Sequence, residues 1–110
     1  MVHLSDKKCV ACEGGTPPLT SEKVKEYVAE LGGGWEILDE KKIKKDFKFK
    51  DFKEAMVFVN KVAEIAESEG HHPDVHIFYN KVIIELWTHA VGGLSENDFI
   101  VAAKIDKLIV

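Results

Sequence analysis

Between Asp51 and Gly70 the apolar residues recur at the spacing of one helix face. Ala55, Met56, Phe58, Val59, Val62, Ala63, Ile65 and Ala66 form a stripe that has to face a core. Asp51 followed by Glu54 has capping-box spacing, Gly70 is placed as a C-terminal cap, and Pro73 forbids continuation. A shorter helix is predicted after Thr20 or Ser21, carrying Val24, Tyr27, Val28 and Leu31 and ending at Gly32-Gly33-Gly34. A third starts after Gly92-Gly93, with Ser95 and Asp98 at its cap and Phe99, Ile100, Ala103 and Ile105 turned inward.

Elsewhere the hydrophobic period is two. From Trp35, "WEILD" and "IKKDFKFK" read as a half-buried hairpin with its turn within 39–42. Ile43, Lys45, Phe47 and Phe49 alternate there with polar residues. "VHIFY" and "VIIELWT", joined at Asn80-Lys81, read as a second hairpin. The order α-β-β-α-β-β-α implies an α+β fold, a four-stranded antiparallel sheet with three helices packed on one face. Residues 1–19 end in the breaker cluster Gly14-Gly15-Thr16-Pro17-Pro18 and are expected to be an irregular lead-in. Residues 20–110 form the single expected domain. Apolar strand edges and the terminal "KLIV" point to a homodimer or higher homo-oligomer sharing sheet edges.

Composition narrows the partners. All 15 basic residues are lysines and the net charge is −4, so no guanidinium fork is present to grip phosphate and nucleic acid is not expected as a partner. No apolar run approaches the roughly 20 residues of a membrane span. The opening "MVHLSDKK" lacks the apolar core of a secretory signal, and a cytoplasmic location is expected.

The chemistry gathers around histidine. His71, His72, His76 and His89 fall within a short stretch, and Glu67 lies one helical turn before His71. His71 and His72 precede Pro73 at a helix end, and a hairpin can return His89, at the end of the fourth strand, to their neighbourhood. His76 lies mid-strand and is expected to face solvent or pack. Imidazole is suited to taking or giving a proton near neutral pH. Zinc is the rival use of such a cluster, although adjacent residues of an extended chain point in opposite directions. Cys9 and Cys12 form a C-x-x-C pair without a second pair, a tail feature or, with His3, part of a metal site.

One segment, "EGHHPDVHIFYNKVIIELWTHAVGGLSENDF", resembles the signature of the pterin-4a-carbinolamine dehydratases in Glu67, His71-His72-Pro73, Tyr79, His89 and Asp98. The similarity extends upstream through "GGGWEILDEKKIKKDFKFKDFKEAMVFVNKVAEIAE" and into "CEGGTPPLT", which is similar to the opening of bacterial members. Gly70 departs from those members that carry an acidic residue directly before the two histidines.

The resemblance implies a 4a-hydroxytetrahydropterin dehydratase that works without metal or cofactor and recycles pterin for aromatic amino acid hydroxylases. It implies proton transfer by His71 and His89, with His72 binding and polarising the carbinolamine. Glu67 would orient a histidine or bind the pterin. Trp35 would be a wall for the flat ring or a core residue, and Asp98 would orient the site or cap its helix. The family also implies other roles: a pterin-binding or transcription-cofactor-like module, a contact with the hydroxylase itself, or a place in molybdopterin metabolism.

Overall fold

The elements run α1 (Ser21–Glu30), β1 (Glu36–Leu38), β2 (Lys42–Lys48), α2 (Phe52–Glu69), β3 (Asp74–Phe78), β4 (Lys81–Leu86) and α3 (Glu96–Asp106). Single 3-10 turns form at Leu4–Asp6 and His89–Val91. The structure, a computed structural model, describes residues 4–9 and 17–108. His3, Cys12, Ile109 and Val110, which figured in the metal and oligomer expectations, lie outside the described residues.

The caps follow the sequence closely. Thr20 accepts from the Lys23 amide at the start of α1, and Asp51 accepts from the Glu54 amide at 2.9 Å to start α2. The first helix stops at Glu30 with Leu31 as its cap, before the glycines expected to end it. Its last amide, that of Leu31, is already bonded to Val28.

All strand pairs are antiparallel in the order β1-β2-β4-β3, so the two hairpins join along β2 and β4. Ile43, Phe47, Val82, Ile84 and Leu86 point to one face and are buried there with Phe58, Val62, Phe99, Ile100 and Ile105 of the helices. The opposite face carries Lys42, Lys44, Asp46, Lys48, Lys81 and Glu85, which keeps it open to water. The expected α+β fold, with helices on one face, is the observed one. Lys45 shares the inner face, where its ammonium reaches Asp106 at 2.8 Å.

Two hairpin details differ from expectation. Phe78 pairs with Lys81, which places the turn at Tyr79–Asn80 instead of Asn80-Lys81. That register puts Val82, Ile84 and Leu86 on the core face, and Tyr79 takes the turn with φ 51°. The last strand ends at Leu86 instead of running to Thr88, because the Thr88 amide turns to bond Gly93 O at 2.8 Å. His89 therefore sits on a tight turn beyond the strand.

Candidate functional site

The end of α2 aims the paired histidines. Gly70 adopts φ 64°, a left-handed conformation natural to glycine, and the amides of Gly70 and His71 both bond to Ala66 O. Pro73 then commits the chain to the extended start of β3. Consecutive side chains diverge from such a backbone. His71 turns inward, with its side chain 13% exposed, while His72 turns outward at 59%.

Each histidine meets a carboxylate. His71 Nε2 donates to Asp98 Oδ1 across 2.6 Å, and His72 Nε2 donates to Glu67 Oε2 across 2.5 Å. Asp98 is fully buried. Its second oxygen accepts the Thr88 hydroxyl at 2.8 Å and the Ser95 amide at 2.9 Å, the latter being the carboxylate half of a capping box. Because Thr88 spends its proton on Asp98, the Ser95 hydroxyl 2.7 Å away donates to Thr88. Asp98 thus starts α3 and holds the His71 ring at once. In the tautomer whose Nε2–H faces the carboxylate, the ring's lone pair lies on Nδ1.

His89 is positioned by the short loop between Thr88 and Gly93. Its ring lies against Trp87 with centroids 3.8 Å apart. Gly93 is a steric necessity here, since a Cβ on it would stand 2.9 Å from Pro18 Cβ. His71, His72 and His89 line one cavity of about 650 Å³ together with Trp87, Thr88 and Cys9. That volume is in the range of small-molecule sites.

Among the other expected residues, Glu67 touches the cavity only through His72. Asp98 stands behind His71. Trp35 lies apart, buried in the core, with its indole N–H donating to Asp106 at 3.0 Å. His76 is exposed on β3 and donates to Glu85 at 2.9 Å. Trp87, Thr88, Cys9, Asn97 and Glu69 were not anticipated at the site. Trp87 carried a readable signal, because residues two apart about a strand end share a side and His89 follows it by two.

One lining residue, Cys9, comes from a distant part of the chain. Cys9 donates its amide to Glu69 Oε1 at 2.8 Å, and Lys104 Nζ reaches Glu69 Oε2 at 2.7 Å. The Lys104 hydrogen bond and the Cys9 amide hold the Glu69 carboxyl below its ordinary range. Burial, with Glu69 beside it, pushes the Cys9 thiol up to about 12. Among the described residues no group of three or more His, Cys, Asp or Glu converges as metal ligands do.

The chain matches the family model described as pterin 4 alpha carbinolamine dehydratase over residues 17–108. It is 47% identical to a provisionally named pterin-4-alpha-carbinolamine dehydratase of Alkaliphilus metalliredigens over 97% of this chain and 96% of that protein. A similarly named protein of Nitrosospira multiformis is 51% identical over 96% of this chain and 91% of its own. Among solved structures, a transcriptional coactivator/pterin dehydratase from Brucella melitensis superposes with a TM-score of 0.78 at 36% identity. It covers 83% of this chain and 97% of that one. A pterin dehydratase-like RuBisCO assembly factor of the alpha-carboxysome, 23% identical with a TM-score of 0.61, covers 70% of this chain and 90% of its own and shares the fold. The paired histidines, the third histidine in the same cavity and similarity along nearly the whole chain agree: this protein belongs to the pterin-4-alpha-carbinolamine dehydratase family.

Proposed function

We propose that the protein dehydrates 4a-hydroxytetrahydropterins by histidine acid–base catalysis. The reaction removes a proton from N5, delivers a proton to the 4a-hydroxyl, expels water and forms the C4a–N5 double bond of the quinonoid dihydropterin. The observation that carries this reading is the Asp98-bound His71 in one cavity with His89. One imidazole serves as base and the other, protonated, as acid, so the chain's own groups suffice. His72 and Glu67 form an outer pair suited to binding the carbinolamine, and Trp87 offers the flat ring an apolar surface. Trp35 acts, in this reading, as core packing that supports the sheet.

The test is a coupled hydroxylase assay following loss of the 4a-carbinolamine. His71→Ala and His89→Ala are each expected to lower the rate about 10²- to 10⁴-fold in folded protein. Undiminished turnover in both would remove the assignment.

The proposed setting is cytoplasmic pterin recycling beside an aromatic amino acid hydroxylase. Among the described residues no helix is long and apolar enough to cross a membrane. A homodimer is also proposed, paired along β3. That strand is a sheet edge with all five residues exposed, and it presents Val75, Ile77 and Phe78.

A further inference from the structure

We propose that the segment 4–9 supplies part of the wall of the substrate cavity through Cys9, its residue that lines the cavity, and that Glu69 is the positioning residue keeping this wall in place. The inference rests on the dehydratase reading and concerns pterin binding, not the chemical step.

This short segment is fastened along its whole length. Leu4 is buried in the main core. Lys7 Nζ pairs with Glu96 Oε2 at 2.8 Å, and the Tyr27 hydroxyl donates to the same oxygen at 3.0 Å. At the far end Cys9 is held twice, by its amide to Glu69 and by Sγ at 3.7 Å from Asn97 O. Cys9, Glu69 and Asn97 line the same cavity as His71 and His89.

Glu69 is the keystone of that end. Its side chain is 6% exposed, and one oxygen is given to Lys104 of α3 while the other receives Cys9. It stands two residues before His71, so the contact fixing the segment and the turn aiming the imidazole share one helix end. The matched family region begins at residue 17, so the segment lies outside it. Relatives aligned over 97% of the chain nonetheless extend into it.

Neither residue is suited to moving protons near neutral pH. Glu69 is held ionised with both oxygens engaged, and the Cys9 thiol stays protonated with its pKa up at about 12. Shape and polarity remain as their contribution, which acts on KM more than on kcat.

The test uses the full chain carrying Cys12→Ser, so that Cys9 is the single thiol. Bound 7,8-dihydrobiopterin is expected to slow iodoacetamide alkylation of Cys9 by roughly fivefold or more. Adding Glu69→Gln should raise the alkylation rate at pH 8 by roughly tenfold as the thiol loses its buried, anionic surroundings. It should also raise KM about fivefold with kcat within about twofold. A merely structural glutamate would lower the melting temperature and leave alkylation and KM unmoved, which would overturn the proposal. Absence of pterin protection, or a fall in kcat at constant KM, would also overturn it. If the Cys12→Ser parent shows no dehydration, the enzymatic reading falls and this one with it. Normal turnover without protection removes only the wall.

Discussion

His71 Nε2 and Asp98 Oδ1 lie 2.6 Å apart, joining the residue after one helix to the first turn of another. Asp98→Asn keeps the shape but offers His71 an amide in place of an acceptor-only carboxylate. The dehydration rate should fall about 10- to 100-fold, as when other groups that orient a working histidine are replaced. Asp98→Ala should in addition cost about 1–2 kcal/mol of stability through the lost cap. Rate assays and urea midpoints on both variants separate the two effects.

Gly93→Ala tests the loop carrying His89. Its new Cβ would meet Pro18 at 2.9 Å, and both partners are backbone-constrained. Overpacking of this kind costs about 1–3 kcal/mol. Thermal unfolding should register that loss, and activity should fall with it because the Thr88–Gly93 bridge closes the His89 turn.

The contacts of residues 4–9 give stability an acid and an alkaline limit. Glu69 is held below its ordinary 4.5 first by Lys104, and Glu96 below the same value first by Lys7. A lowered carboxyl contributes stability above its ordinary pKa, and that contribution is lost as pH falls through the folded value. The Cys9 thiol is raised from 9.0 to about 12 by burial, and the Tyr27 phenol from 10.0 to about 12, also chiefly by burial. Their contribution is complete below the ordinary values and disappears as pH rises through about 12. Urea midpoints should form a plateau between these limits, and Glu69→Gln should flatten the acid limb.

Ile77→Lys addresses the edge strand. Ile77 is 38% exposed on β3, opposite Val82 on the inner neighbour. A lysine there should leave the monomer fold intact and block pairing with a second copy. Light scattering after size-exclusion chromatography should report the monomer mass for the variant and twice that mass for the parent.

The helices and strands were readable because their signals are local. Asp51, Gly70, Ser95 and Asp98 mark helix ends with groups that bond within a turn, and alternation around Ile43–Phe47 and Val82–Leu86 marks the sheet's inner face. The turn at Tyr79–Asn80 was misplaced by one residue because its position follows from register across the strands, which an isolated hairpin pattern does not contain. The site was readable in part. His71, His72 and His89 do line one cavity, and Asp98 makes the capping box that its spacing allowed while also meeting the His71 ring. Trp35 lies beside Asp106, a partner 71 positions away, and Glu69 meets Cys9 across 60 positions. Pairings at such separation depend on how the finished layers stack, and no periodicity records them.

The double employment of Asp98 bears on how relatives should be compared. A chain that keeps this aspartate and replaces the imidazole facing it would still start its last helix properly and stay folded. The carboxylate by itself therefore reports architecture. The histidine after the left-handed glycine, proposed above to move a proton, is the residue whose replacement would separate the dehydration chemistry from the fold.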